Sequence, residues 1–168
     1  MNAMKVRIKL LLFCIVTLSA VGCDRVTKNL ARTHLAHREG ISYCSDTFRL
    51  EYAENTGAAM SLGADWPDGA RFWLFNVFPV AMLLLLLAYL VQSSRQLHWM
   101  QVSALALIFS GGVGNLIDRI FNNSRVPDFM ILGIDTIRTG IFNVADMCIT
   151  FGVLTLMGLA LFKTKASA

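Results

Sequence analysis

Four long apolar stretches divide the chain, and each is close to the length of about 20 residues with which a helix crosses a bilayer. They cover residues of about 6–23, 72–91, 100–121 and 141–162. The third stretch becomes polar towards its end, and the fourth is polar at its start. The pattern predicts an all-α polytopic membrane protein of four transmembrane helices, with a kink at Pro79 in the second span.

A long polar segment of about 24–71 connects the first two spans. Apolar and charged residues alternate over 48–52, which predicts a strand. A second short strand is expected at 58–62, after a turn at 55–57. The segment is therefore predicted to form a small extracytoplasmic β-cradle between helices 1 and 2, within one domain of residues 1–168. Such a sheet either binds an extended peptide by strand addition or only shields polar groups from lipid, and both alternatives stay open.

Composition supports a membrane protein and argues against a nucleic-acid partner. Hydrophobic residues make up 55% of the chain and charged residues 15%, whereas soluble domains carry roughly 25% charged residues. The net charge is +4, but no stripe of Lys and Arg interleaved with aromatic residues is present. Lys5, Arg7 and Lys9 lie before or at the very start of the first span, which predicts that both termini are cytoplasmic, although the raw total of basic residues does not favour that side.

The N-terminus admits two interpretations. Residues 1–23 have the basic start, apolar middle and closing cysteine of a bacterial lipoprotein signal, in which Cys23 would be lipidated and the rest removed. However, Ala20 stands where such signals usually have Leu, three residues before the cysteine. The four-span layout favours a permanent helix, which can continue over residues 29–38.

Unusual polar residues gather at one membrane face, at the outer ends of spans one, three and four and in the outer segments. An ionisable residue inside a span costs a few kcal/mol (about 2.5–3.5 on insertion scales) and therefore faces a partner or a cavity. The residues of this group are Asp24, Lys28, Asn55, Asn115, Asp118, Arg119, Asp128, Asn143 and Asp146.

Most of these residues also admit a structural interpretation. Asp24 and Lys28 are one helical turn apart and form an ordinary ion pair. Asn115, Asp118 and Arg119 share a helix face, next to glycines at 111, 112 and 114 that suit a packing seam of small residues.

Asp146 is harder to explain structurally, because it lies about one and a half turns into the fourth span. Asp128, at the mouth of that span, is a natural partner. Two adjacent carboxylates cannot both ionise cheaply, so one keeps a proton while the other acts as a base. Such a pair either activates water for peptide hydrolysis or serves as a structural pair.

Other chemistry is poorly represented. His34 and His37 do not suffice for a zinc site, so no metal is predicted. No Ser/His/Asp set with a GxSxG turn is present, and the glycines lack the GK[ST] ending of a phosphate loop.

Five motifs together resemble the signature blocks of the lipoprotein signal peptidase (signal peptidase II) family. They are DRVTK (24–28), ENTGAAMS (54–61), GNLIDR (114–119), VPDF (126–129) and FNVADMCI (142–149). The resemblance covers the whole chain, and five motifs in the family's order are specific.

The resemblance implies an intramembrane aspartic endopeptidase of the bacterial inner membrane, with its active site near the extracytoplasmic face. It would cut diacylglyceryl-modified prolipoproteins before the lipidated cysteine. The implied partners are these precursors and membrane lipid, with no metal, no cofactor, no nucleic acid and a monomeric chain. The family's catalytic pair falls on Asp128 and Asp146, and Asn115 and Arg119 would line the substrate site. The implied supporting residues are Asp24, Lys28, Asn55, Gly57, Asn115, Asp118, Arg119, Asn143 and Ala145.

The chain departs from the family's pattern at three places. The glycine block reads SGGVGN (110–115), Glu54 stands where a basic residue is common, and Pro127 precedes Asp128. Pro127 denies one N–H to its segment, and we expect it to affect the resting position of Asp128.

Two non-enzymatic hypotheses compete with the peptidase. A small transporter or proton-relay subunit would carry polar residues through the whole membrane depth, but the inner halves of spans two to four are almost wholly apolar. A relative that binds lipoprotein precursors without cutting them is the second alternative, against which the presence of both Asp128 and Asp146 argues.

Overall fold

The computed structural model describes residues 2–57, 63 and 65–165. Within that part of the chain, four helical segments are long and apolar enough to cross a membrane, and a four-stranded antiparallel sheet lies beside them. The predicted class of four spanning helices with a small sheet is therefore confirmed. In chain order the elements are α1 (Asn2–Leu35), β1 (Ile41–Tyr43), β2 (Phe48–Asn55), α2 (Asp68–Phe72), a π-helical turn (Trp73–Val77), α3 (Phe78–Ser93), α4 (Trp99–Phe121), β3 (Val126–Ile134), β4 (Ile137–Arg138) and α5 (Val144–Lys165).

Helix α1 runs without interruption well beyond the predicted first span. It reaches Leu35, so its last turns extend past the apolar stretch. There Ala31 and Leu35 are buried against Phe129 of β3. This small apolar cluster joins the C-terminal end of α1 to the sheet.

The second span departs from the prediction of a helix kinked at Pro79. A π-helical turn over Trp73–Val77 precedes α3, and the proline lies in the first turn of α3. Proline lacks an N–H and its ring crowds the carbonyl four residues earlier, so the ladder widens before it. The irregularity therefore lies one turn earlier than the sequence suggests.

Helix α4 is the centre of the bundle and packs against α1, α3 and α5. Its core-facing positions are mostly small, so the backbones approach closely. A Cβ atom on Gly111 would lie 2.3 Å from the carbonyl oxygen of Ala145, and one on Gly114 would lie 2.8 Å from Oδ2 of Asp24. The glycine seam thus brings Asp24 in the later part of α1, and the first turn of α5, close to the polar end of α4.

The sheet has the order β1-β2-β3-β4, with every pair antiparallel. Strand β2 occupies the predicted position, but β3 and β4 lie between the third and fourth spans. The sheet therefore combines two connections. Strand β2 comes from the first connection, as predicted, and it pairs with β3, which follows the third span. The strand predicted at 58–62 lies outside the described residues.

A buried cation, Lys9, lies at the end of the bundle remote from the sheet. Lys9 of α1 donates from Nζ to the carbonyl oxygen of Ser94 at 3.0 Å and lies over the ring of Trp99. A cation at the C-terminus of a helix satisfies carbonyls that have no partner within the helix. Lys9 thereby closes the end of α3.

Candidate active site

The polar residues singled out in the sequence converge at the sheet end of the bundle. Asp24 and Lys28 come from α1, Asn115 from α4 and Asp128 from β3, and all four are buried. Asn143, which precedes α5, has no exposed surface. Buried polar groups are costly unless they are hydrogen-bonded, and each of these groups has a partner.

Charged residues of α1 and α4 form a buried ion-pair network. Lys28 Nζ lies 2.9 Å from Asp24 Oδ2 and 2.7 Å from Asp118 Oδ2. The remaining Asp24 oxygen accepts the backbone N–H of Ala145 at 3.0 Å. The network therefore fixes the first turn of α5 relative to α1 and α4.

Arg25 completes this network, although it is not among the residues predicted from the sequence. Its guanidinium donates to both oxygens of Asp118 at 2.6 Å and to Asp24 Oδ2 at 3.1 Å. Arg25 lies one residue from Asp24 and off the helix face that Asp24 shares with Lys28. The length of its side chain allows it to reach Asp118, and spacing alone does not indicate that reach.

Asn115 connects the ion-pair network to Asp146. Its amide oxygen accepts hydrogen bonds from Lys28 Nζ at 2.9 Å and from the side chain of Asn143 at 3.2 Å. Its amide nitrogen donates to Asp146 Oδ1 at 2.8 Å. The buried Lys28 ammonium thus orients the Asn115 amide, which in turn holds Asp146.

Asn143 and Asp146 form a reciprocal cap at the start of α5. The side-chain oxygen of Asn143 accepts the backbone N–H of Asp146, and Asp146 Oδ2 accepts the backbone N–H of Asn143, both at 3.0 Å. This is the arrangement of a capping box, with Asp in place of the usual Glu. The cap fixes the Asp146 carboxylate at the positive end of a helix dipole, where negative charge is favoured.

Asp128 lies in β3 and receives hydrogen bonds on both oxygens. Asn143 Nδ2 donates to Oδ1 at 2.6 Å, and Asn55 Nδ2 donates to Oδ2 at 3.0 Å. Burial raises the pKa of Asp128 to about 6, and the charge of Asp146 adds to the rise, while the hydrogen bonds from Asn55 and Asn143 oppose it. Asp128 therefore keeps its proton up to a higher pH than a carboxyl group usually does.

The turn after β2 fixes Asn55 in this position. The Asn55 side-chain oxygen accepts the backbone N–H of Gly57 at 2.9 Å, which is an Asx-type turn. Arg119 of α4 donates to the carbonyl oxygen of Gly57 at 3.0 Å, and its guanidinium lies over the ring of Phe75. The predicted residues Asn55, Gly57 and Arg119 thus belong to one connected unit beside Asp128.

A cavity of about 1050 Å³ opens onto this group. Asp128, Asp146, Asn115 and Arg119 contribute polar groups to its lining, which is otherwise mainly apolar and aromatic. Two of its lining residues, Phe78 of α3 and Phe151 of α5, are 57% and 55% exposed on the outside of the bundle. The cavity therefore lies between α3 and α5, next to the surface that faces lipid.

The residues that depart from the expected motifs leave this arrangement intact. Pro127 lies in β3 opposite Glu54 of β2, and Asp128 still receives both of its amide donors. Glu54 pairs with Arg125 at 2.9 Å. Ser110 is buried, and its hydroxyl donates to the carbonyl oxygen of Leu107 in its own helix. In the part of the chain that the structure describes, no group of three or more His, Cys, Asp or Glu residues is placed to hold a metal ion.

The chain matches a family model described as signal peptidase (SPase) II over residues 16–162. This protein belongs to the signal peptidase II family. The family is one of peptidases, and the non-enzymatic alternatives are not favoured.

Relatives named lipoprotein signal peptidase are similar over nearly the whole chain. The protein of Symbiobacterium thermophilum is 35% identical over 159 residues, which cover 94% of this chain and 100% of the relative. That of Desulforapulum autotrophicum is 33% identical over 150 residues, covering 89% and 91%. That of Pseudomonas putida is 35% identical over 144 residues, covering 86% and 82%.

Solved structures with the same fold are bacterial membrane enzymes obtained by the in meso method. One has a TM-score of 0.77 at 25% identity and covers 92% of this chain and 90% of its own. A second has a TM-score of 0.74 at 24% identity, with coverage of 90% and 92%. The signal peptidase II chain is therefore a multi-pass membrane protein with the fold of these enzymes.

Proposed function

We propose that this protein is an aspartic endopeptidase that removes the signal peptide from diacylglyceryl-modified bacterial prolipoproteins, cutting before the lipidated cysteine. One observation carries the proposal. Asp128 and Asp146 line the same cavity and are both hydrogen-bonded to Asn143. A pair of carboxylates held by one residue at an apolar cavity suits general acid–base hydrolysis of a peptide that carries lipid.

The surroundings of the two carboxylates support different roles for them. Asp146 accepts hydrogen bonds from Asn115 and from the backbone of Asn143 at the start of α5, which hold its carboxyl group in place for the role of a base. Asp128 is the group with the raised pKa. In this scheme Asp146 is the base and Asp128 carries the shared proton.

The reaction then proceeds in two balanced steps. Asp146 takes a proton from water, the resulting hydroxide adds to the scissile carbonyl carbon, and Asp128 donates its proton to the carbonyl oxygen. The C–N bond then breaks as Asp146 gives its proton to the leaving amine, and Asp128 recovers a proton from a hydroxyl of the tetrahedral intermediate. Each carboxyl group returns to its starting state.

The remaining site residues fit supporting roles. Arg119 and Asn115 present polar groups inside the cavity, where we assign them to the substrate backbone next to the cut. The apolar wall between α3 and α5 suits a diacylglyceryl group, which would enter from the lipid. Asp24, Lys28 and Asp118, with Ala145, hold α1, α4 and α5 in register.

We place the protein in the bacterial inner membrane as a monomer. The basic residues Lys5, Arg7 and Lys9 at the start of α1 support a cytoplasmic position for both termini. The sheet and the cavity then lie near the extracytoplasmic face, where a precursor's lipid-modified cysteine is presented.

A gel-shift assay on purified components tests the proposal. The full-length protein in detergent or lipid is mixed with a diacylglyceryl-modified prolipoprotein or with the same precursor lacking lipid. We expect wild type to convert only the lipidated precursor to a faster-migrating product. A folded wild type that binds the lipidated precursor without converting it would instead indicate a precursor-binding protein.

A further inference from the structure

Two arginines from different helical segments contact consecutive carbonyl groups of the turn that follows β2. Arg71 of α2 donates from Nη2 to the carbonyl oxygen of Thr56 at 3.0 Å. Arg119 of α4 donates to the carbonyl oxygen of Gly57, also at 3.0 Å. Hydrogen bonds from a charged donor are stronger than those between neutral groups.

The turn that these arginines hold carries the amide that contacts Asp128. Gly57 donates its backbone N–H to the side-chain oxygen of Asn55, and the other end of that amide donates to Asp128. An Asn side chain whose oxygen is fixed in this way has its nitrogen fixed too, because the amide is planar. The position of the backbone at 56–57 therefore determines how well Asn55 reaches Asp128.

We propose that Arg71 is a positioning residue for the peptidase reaction, which acts through the Thr56–Gly57 backbone to hold the Asn55 amide against Asp128. This inference rests on the function proposed above. The guanidinium is mostly enclosed, with 20% of its side chain exposed, whereas its other partner, Asp68, is fully exposed at 3.4 Å. The enclosed hydrogen bond to the Thr56 carbonyl, rather than the exposed ion pair with Asp68, is thus the contact that holds the turn in place.

Loss of the Arg71 contact should raise the pKa of Asp128. A hydrogen bond donated to a carboxylate favours the charged form, and the bond from Asn55 opposes the rise in the pKa of Asp128. Loosening the turn weakens that bond, so the pKa of Asp128 increases further. The high-pH limb of the activity profile, at which Asp128 loses its proton, then moves to higher pH.

Four variants of the full-length protein test this role. Cleavage of a lipidated precursor is measured as kcat and KM across a pH series for wild type, Arg71→Ala, Arg71→Lys and Asp68→Asn, with Asp128→Asn as the inactive reference. We expect Arg71→Ala to lower kcat about tenfold, the size of one lost charge-assisted hydrogen bond, with KM within twofold and the high-pH limb displaced upward. Arg71→Lys, which keeps a charged donor, recovers most of kcat, and Asp68→Asn matches wild type.

A readout that does not need cleavage separates failure of this inference from failure of the proposed function. The unfolding midpoint of wild type is expected to fall as pH rises and Asp128 loses its proton. In Arg71→Ala that fall should extend to higher pH, whereas in Asp68→Asn it should occur over the same pH range as in wild type. Arg71→Lys supplies the same comparison if Arg71→Ala does not fold. The inference is overturned if Arg71→Ala keeps the wild-type kcat and pH limb, or if kcat drops with both pH profiles unchanged.

Discussion

The side-chain nitrogen of Asn143 lies 2.6 Å from Oδ1 of Asp128, while the oxygen of the same amide caps helix α5. One residue thereby performs a structural and a chemical task at once. The amide cannot rotate without losing both contacts, so the start of α5 and the orientation of Asp128 are coupled. This coupling brings the two candidate catalytic carboxylates into one unit.

The two tasks of Asn143 can be separated by substitution. Asn143→Ser keeps an oxygen that accepts the N–H of Asp146 but is too short to reach Asp128, so we expect it to retain the cap of α5 while activity falls at least tenfold. Asn143→Ala loses the cap as well, at a cost of about 1 kcal/mol in the free energy of unfolding. Thermal unfolding and cleavage rates of both variants provide the measurement. Equal unfolding midpoints for the two variants would show that the cap does not stabilise the protein.

The stability of the protein should depend on the protonation of Asp128. Its pKa is raised from 3.8 to about 6, so the folded state binds more protons than the unfolded state between these values, and stability falls as pH rises through that window. At full size the effect is about 3 kcal/mol. Unfolding midpoints measured from pH 4 to 7 should decline in wild type, and Asp128→Asn should lack this component. A decline of the same size in Asp128→Asn would assign it to other groups.

The buried network around Asp118 should be far more sensitive than a comparable network on the surface. Asp118→Ala leaves Lys28, which is buried, and Arg25 to share the single carboxylate of Asp24, and we expect a loss of about 3–5 kcal/mol in the free energy of unfolding. Asp46 likewise pairs with two cationic side chains, those of Arg49 and Arg138, but on the surface of the sheet.

Asp46→Ala is therefore the surface control for Asp118→Ala. It adds the strain of Ala at a φ of 64°, roughly 1 kcal/mol, and its unfolding midpoint should still shift less. Chemical denaturation of both variants in the same detergent makes the comparison. Losses of similar size would mean that burial does not determine the cost.

The close approach of α4 and α5 at Gly111 should be essential for the site. A Cβ on Gly111 would lie 2.3 Å from the carbonyl oxygen of Ala145, so Gly111→Ala must displace the first turn of α5, which carries Asp146. We expect a loss of about 1–3 kcal/mol together with most of the activity. Gly158→Ala in α5 meets nothing within 4 Å, and should be neutral or slightly stabilising. Retention of normal activity by Gly111→Ala would show that α5 can shift without moving Asp146 from its partners.

The helical part of the fold follows from local features of the sequence. Apolar stretches of bilayer length predict the spanning helices whatever their partners are, and the alternation over 48–52 predicts β2 in the same way. The polar residues could be selected because they are expensive in a membrane and occur at one end of the spans. The structure brings all of them to that end, from Asp24 to Asp146.

The features that the sequence did not predict depend on distant contacts. Strand β3 contains Pro127 and shows little alternation, and it becomes a strand because β2 lies beside it. Arg25 was not selected because its reach to Asp118 depends on the distance between α1 and α4. The role of Arg71 depends on a backbone carbonyl at Thr56, and carbonyl groups leave no trace in the pattern of side chains.

The most direct test of the central claim is to identify the cleavage products by mass spectrometry. Wild type, Asp128→Asn and Asp146→Asn, each shown to be folded by its unfolding transition, are incubated with a diacylglyceryl-modified prolipoprotein. We expect wild type to release a signal peptide ending at the residue before the lipidated cysteine, and neither variant to release it. Release of the same peptide at a comparable rate by either variant would contradict the assignment of Asp128 and Asp146 as the catalytic pair.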